Sequence, residues 1–327
     1  MSTYIPRRGA EALMPEEYQR EIIQEVSQES IIMSLGYRAA NMSRNQRRLP
    51  VLSVLPTAYF TNPGSGDTGD LSWKQTTKLM WANKYLDVEE LNVIVAIPEA
   101  VLADADYDIW GEAKPKLLEA YGYAIDQAIL YGLNAPAVWP KNIVAQCQAV
   151  GNYVTLPQDN SKDLYDVILG EDGLVAKVEE DGFMVNGHVS SFTMRGKLRG
   201  LRASDNMPIF KPLQKEGMQG STVYSLDGEP MYFPKNGCII PDRSLIICGD
   251  WTKLMYAIRQ DITWKILDQA VIQDPSTGEI VYNLAQQNMV ALRSCMRIAW
   301  QVPNPLNRVN QDNATRYPFS VLGAAGS

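Results

Sequence analysis

The sequence predicts an α+β chain: a long β-hairpin leads into one long amphipathic helix, and a mixed lobe of helices and strands follows. Three observations predict it. Residues 51–61 (VLSVLPTAYFT) are β-branched and aromatic, 62–70 (NPGSGDTGD) form a dense turn cluster, and 71–98 return through a second β-rich run. The stretch YDIWGEAKPKLLEAYGYAIDQAILYG places Leu117, Tyr121, Ala124 and Ala128 on one stripe with Leu118, Ile125 and Ile129 beside it, the spacing of a helix that buries one face. Beyond Pro140, apolar runs alternate with turn signals, the pattern of a mixed lobe.

Taken in order, residues 15–35 open with Pro15 and acids and repeat Ile22, Ile23, Val26 and Ser30 at helical spacing, which predicts an amphipathic N-terminal helix. Basic stretches flank it, with Arg7 and Arg8 before and Arg44, Arg47 and Arg48 after. They read as an extended arm that either contacts a partner or is solvated. In the hairpin, Phe60, Trp73, Trp81 and Tyr85 supply apolar area. An isolated ribbon is marginal in water and its edges invite pairing, so a neighbouring subunit is the expected cover. PEAVLADA is expected as a short helix. In the long helix Pro115 is expected to mark a break and Gly132 a stop. Ser161 is a candidate cap for one helix running through Leu164, Val167 and Ile168 to Gly182, with GFMVNGHVSS following as a strand. FTMRGKLRGLR predicts a short basic helix presenting Arg195, Lys197, Arg199 and Arg202. STVYSLDGEPMYF and CIIPDRSLIICGDW are strands reversed at D-G and P-D, and 258–302 returns to long strands around DPSTGE.

Composition narrows the function. With 327 residues, 46% of them hydrophobic and 20% charged, the chain buries a real core and is expected to split into two lobes. It lacks both an apolar run of about 18 residues and a signal-peptide h-region, so a soluble protein made in a cytoplasm, without a membrane partner, is expected. Cys147, Cys238, Cys248 and Cys295 have neither zinc nor disulfide-framework spacing and are expected as buried thiols. A net charge of −7 argues against coating nucleic acid by bulk attraction, leaving weak or local contact. Chemistry finds little to use. The single histidine, His188, lies in a strand-like run, and the glycine cluster NPGSGDTGDL lacks the Lys-Ser/Thr of a phosphate loop. Asp67 and Asp70 lack the further spaced oxygens of a calcium loop, and the pairs Asp104/Asp106 and Glu179/Glu180 are ordinary surface acids. Neither a catalytic residue, a metal nor a cofactor is expected.

The order of arm, hairpin, long helix, mixed lobe and returning strands resembles the major capsid proteins of tailed bacteriophages of the Hong Kong 97 type, over nearly the whole chain. IPEAVLADADYDIW is similar to that family's lead into its spine helix and AIDQAILYGLNAPAVWPKNIV to its helix end. ICGDWTKLMYAIRQDITWKI and QQNMVALRSCMRIAWQVPNP are similar to its later strands. The resemblance implies an N-terminal arm (1–50), an extended E-loop hairpin (51–91) and a peripheral domain with a spine helix (92–133 with 260–304). It also implies a mixed axial domain (134–259) and a C-terminal segment (305–327). The implied function is structural: self-assembly into hexamers and pentamers of an icosahedral shell around double-stranded DNA, formed in the host bacterial cytoplasm and carried in the virion. Portal, scaffold and decoration proteins are the implied partners.

Some members of that family link an E-loop Lys to an Asn on a neighbour, with a nearby Glu taking part. By resemblance Asn288 matches the Asn and Lys74, Lys78 or Lys84 the Lys, but Cys295 stands where the Glu is expected, which implies a non-covalent shell. An arm of about fifty residues leaves no room for a fused scaffolding domain, implying a separate scaffold or none. A cargo-loaded encapsulin shell is the related alternative, and an enzyme of unknown class the different one. The long hairpin and the arm favour the phage shell.

Overall fold

The computed structural model describes residues 30–60, 76–104, 109–157, 163–200, 210–213, 223–274 and 276–324. Ser30 caps the single turn α1 (Ile31–Leu35), its Oγ accepting the Met33 N–H at 3.2 Å. The helix predicted over 15–35 therefore falls within the described residues only at its end. The chain then lies along the edge of a sheet as β1 (Tyr37–Arg38), parallel to β11 (Met255–Leu267), and its N–H groups at Tyr37, Ala39 and Met42 donate to Leu254, Tyr256 and Ile258 carbonyls.

The hairpin begins earlier than the sequence reading placed it. β2 (Gln46–Val54) pairs antiparallel with β3 (Met80–Asp87), from Gln46↔Asp87 to Val54↔Met80. Arg47 and Arg48, read as arm, are strand residues. The Arg47 guanidinium donates to the carbonyls of Ala40 and Asn41, both at 2.9 Å, and so ties the ribbon to the arm. The return run is not one strand either. β3 ends at Asp87, the Val88 N–H still donates to the Asn45 carbonyl at the foot of the ribbon, and β4 (Glu89–Pro98) joins a different sheet.

After α2 (Glu99–Asp104) the long helix is α3 (Ile109–Tyr131), and it runs through Pro115 without the expected break. Pro115 and Gly111, whose carbonyl loses its intrahelical donor, are both exposed, so water satisfies the freed group. Gly132 ends the helix at φ 71, donating to the Ala128 carbonyl at 3.0 Å. Next come α4 (Ile143–Val150), capped by Asn142, and β5 (Tyr153–Thr155). The single helix expected up to Gly182 is two, α5 (Leu164–Leu169) and α6 (Leu174–Glu180), parted at 170–173 where the glycines break it. Asp163 occupies the cap position, and Ser161 lies outside the described residues. β6 (Gly187–Ser190) is shorter than predicted, and the basic helix α7 (Phe192–Arg199) ends before Arg202, also outside the described residues. β7 (Lys211–Leu213), β8 (Val223–Leu226) and β9 (Glu229–Tyr232) follow, the last two joined by Asp227–Gly228 with both φ positive, a type I′ turn. β10 (Ile246–Gly249), the small hairpin β12 (Val271–Gln273) and β13 (Ile280–Asn283), β14 (Met289–Gln301) and β15 (Phe319–Gly323) complete the order.

Two larger sheets organise these elements. The first runs β1-β11-β14-β4, with α3 on one face, where the Tyr121 hydroxyl donates to Ser294 Oγ at 3.0 Å. The second runs β5-β15-β10-β6-β9-β8-β7. The 305–327 stretch, expected as a separate segment, thus supplies β15 to the interior of that sheet, antiparallel to β10 and parallel to β5. One apolar core links α1 and α3 to both sheets through Tyr121, Ile125, Ile298, Trp300, Phe319 and Val321. A second lies under α5, α6 and α7, and a third joins Ala39, Met42 and Leu86 to Ala257 and Ala299.

Two buried titratable groups oppose each other. Asp126, fully buried in α3, accepts from Ser30 Oγ (2.6 Å), the Ile31 and Ile32 N–H groups (3.1 and 3.2 Å) and Asn236 Nδ2 (3.1 Å), and burial raises its pKa from 3.8 to about 6. His188, buried in β6 with neither ring nitrogen in a hydrogen bond of ordinary geometry, is lowered by burial from 6.5 to about 4. Between those values the folded state holds the Asp126 proton more tightly than the unfolded chain. The Asp126 contribution is therefore full below pH 3.8 and lost as pH rises towards 6. For His188 the folded state is the proton-poor one, so its contribution is full above pH 6.5 and lost as pH falls towards 4. Each is worth about 3 kcal/mol. Urea midpoints of the wild type should be nearly flat from pH 4.7 to 6.5. Asp126→Asn should become less stable on acidification and His188→Gln more stable; parallel profiles for the two variants would refute the assignment.

Candidate assembly surfaces

The hairpin is clamped at its base and uncovered beyond it. Val51 and Leu86 are buried, Lys84 Nζ donates to the Val302 carbonyl (2.9 Å), Gln301 Nε2 to the Tyr85 carbonyl (3.0 Å) and Arg308 Nη2 to the Pro56 carbonyl (2.8 Å). These partners come from β14 and the segment after it, so the ribbon leaves the body at a fixed place. Tyr85 and Trp81 stay 41% and 61% exposed along this clamped part, and Phe60, beyond it, is 90% exposed. Trp73 and Lys74 lie outside the described residues, as do Arg7, Arg8, Ile22 and Val26 of the arm.

Asn288 is exposed, with φ 48, in the turn before β14, and its carbonyl accepts the Glu99 N–H at 2.9 Å. Lys78 is exposed, whereas Lys84 is half-buried and held by Val302. Burial lowers the pKa of Lys84. Val302 follows the far end of β14, roughly 40 Å of strand from Asn288. Within one chain, Asn288 and Lys84 do not meet. Cys295 does have a carboxylate beside it: its Sγ donates to Glu90 Oε1 at 3.1 Å. Asn92 Nδ2 donates to the same oxygen at 3.0 Å, and Arg297 donates through Nε and Nη2 to Oε2 at 3.2 and 2.8 Å. The Cys295 hydrogen bond and these partners hold Glu90 down at about 2.

Two features escaped the sequence reading. The β12–β13 hairpin carries Val271, Ile280, Val281 and Tyr282 on exposed positions, with its turn set by Asp274 Oδ1 accepting the Ser276 N–H at 2.7 Å. VIQ and IVY flanking DPSTGE were the signal, hidden within a region read as long strands. Asp126 was legible as a charge on the apolar stripe, since Ile129 and Leu130, three and four residues on, are both buried. Between α3 and β4 lies an apolar cleft of ≈ 150 Å³ lined by Tyr123, Leu133 and Trp139.

The sequence model of the phage capsid family matches residues 10–306. The chain belongs to that family. The major capsid protein of Staphylococcus phage 80alpha is 28% identical over 290 residues, spanning 88% of this chain and 80% of the relative. A solved structure from Microbacterium phage Oxtober96 is 31% identical with a TM-score of 0.73, covering 90% of this capsid protein and 91% of that chain. One from Mycobacterium phage Adephagia, 25% identical, has the same TM-score over 99% of both chains. This capsid protein is a structural component of a virion shell, not an enzyme. Among the described residues none of its helices is long and apolar enough to cross a membrane.

Proposed function

We propose that this capsid protein assembles into hexamers and pentamers that close an icosahedral shell around double-stranded DNA, in the cytoplasm of a bacterial host. Portal, scaffold and decoration proteins are its further partners. In this reading the hairpin over 46–87 is the E-loop, α3 the spine helix, the four-stranded sheet the peripheral domain and the seven-stranded sheet the axial domain. The carrying observation is a ribbon fixed at its base whose aromatic groups, Phe60 and Trp81, find no cover among the described residues. A neighbouring copy supplies that cover, and buried aromatic anchors of this kind contribute about 2 kcal/mol each. Expressed alone at rising concentration, the chain should give rings or closed shells by light scattering and negative-stain microscopy. Phe60→Ala with Trp81→Ala should weaken each contact about a thousandfold. A monodisperse wild-type monomer at every concentration would sink the reading.

The shell is held without covalent links. Glu90, ionised down to about pH 2, is too weak a base to take an ammonium proton, and Lys84 is engaged elsewhere. Boiled particles should run as a single band of chain mass in denaturing electrophoresis, and a ladder of multiples would contradict this.

A further inference from the structure

The helical layer over the seven-stranded sheet is divided by charge. α6 lies over β15 and β10, with the Leu174 carbonyl accepting from Ser320 Oγ at 2.6 Å, while α7 lies over β8 at the other half of the sheet. On the α7 half, Arg195 Nη2 and Arg199 Nη2 both donate to the Tyr224 hydroxyl, at 2.6 and 3.0 Å. Their guanidinium carbons stand 4.6 and 5.6 Å from that ring's centroid. The ring is itself fixed by Phe210, stacked at 4.7 Å, and by Phe233 at right angles. Two guanidinium groups thus converge on one neutral oxygen, and no carboxylate among the described residues lies within ion-pair distance of either. Arg195 Nε is buried and without a hydrogen-bond partner among the described residues. Like charges held this way on an aromatic platform form a preorganised fork for an anion, with little side-chain freedom left to lose on binding.

The other half of the layer offers the complement. Asp163, Asp166, Glu171, Asp172 and Glu179 around α5 and α6 are exposed and make no ion pair among the described residues. A ring of identical copies joins one face of each to a different face of the next, so a chain carrying both signs on opposite halves of one layer is complementary to its own copies. We infer that the Arg195–Arg199 fork receives carboxylates of the α5–α6 surface of the adjacent copy in the ring. This rests on the ring assembly proposed above and names the groups that set its register. The chain's acidic balance, −7 overall, makes a second copy a better source of the anion than a polyanion.

The test uses the full chain and exposed positions only. Arg199→Glu, and separately Glu171→Lys with Asp172→Lys and Glu179→Lys, should each raise the concentration needed for ring formation in sedimentation at least tenfold, with thermal unfolding of the monomer unchanged. All four changes in one chain should restore part of the lost assembly, because position 199 again faces charges of opposite sign. Wild-type rings should also loosen between 50 and 500 mM salt, since the screening length falls from about 14 to about 4 Å in that range. Wild-type rings with unaffected variants, or a combined variant no better than its parents, would overturn the pairing alone. A wild-type chain that stays monomeric would overturn the ring and the pairing with it. Loss of duplex-DNA binding by Arg199→Glu with assembly unchanged would assign the fork to phosphate instead and overturn the contact.

Discussion

Arg316→Ala should lower the unfolding free energy by about 4 kcal/mol, the scale of several buried acceptors left without their donor. The side chain is fully buried, and its donors are spent on the chain around it. Nε donates to Asn304 Oδ1 at 3.2 Å, Nη1 to the Asn310 carbonyl at 3.1 Å, and Nη2 to the Asn304 carbonyl at 3.1 Å and to that of Pro305. Alanine leaves these acceptors in a space that water fills badly, and each unsatisfied group costs about 1–3 kcal/mol. The loss reaches the hairpin, because the loop that Arg316 closes also carries Arg308 to the Pro56 carbonyl and the Leu306 N–H to the Leu52 carbonyl. Assembly should therefore fall along with stability. Lysine keeps the charge but not the planar fork, and should recover less than half of the loss. A urea midpoint for the alanine variant equivalent to within 1 kcal/mol of wild type would refute this account.

Asp126→Ala should release the arm. Its carboxylate is the common acceptor for the first turn of α1, and without it either the Ser30 hydroxyl and the Ile31 and Ile32 N–H groups stay buried without an acceptor, or α1 leaves the core. The second route exposes Ile31, Ile32 and Met33, at about 1.5–3 kcal/mol for each side chain. Either route costs at least about 3 kcal/mol. Trypsin should then cut near Arg38 and Arg44 at least tenfold faster than in wild type, and Asp126→Asn should lie between the two. Cleavage of the alanine variant at the wild-type rate would show that the arm is held by packing alone.

What was legible in the sequence followed from period and punctuation. The hairpin, α3, α7, the Asp227–Gly228 reversal and the long strands β11 and β14 each rest on a local pattern that tertiary packing did not override. The misplaced boundaries share a cause. Arg47 and Arg48 look like solvated arm because charge carries no strand period, yet a two-stranded ribbon leaves room for charged side chains. Likewise nothing local to Val88 says that the residues on either side of it join different sheets. The family resemblance supplied the assembly, and it pointed to Cys295 as a position without its carboxylate. It did not foresee Glu90, which reaches that thiol from the neighbouring strand β4 through pairing that only the fold reveals. Arg316 sits in an asparagine-rich loop without periodicity, where a lone arginine reads as solvated.

The position of β15 has a consequence for the timing of synthesis. It separates β5 from β10, yet it is made after every other strand of its sheet, and its neighbours wait across a gap of some seventy residues on one side and more than 160 on the other, about the distances from β10 and β5. A nascent chain can close the four-stranded sheet while the seven-stranded sheet still lacks its interior strand. A ribosome that stops before Phe319 therefore releases a product that cannot complete the second sheet. Such fragments present an open strand edge where the finished fold has a paired one, so the fold itself separates chains read through to that strand from shorter ones, which are left to proteolysis.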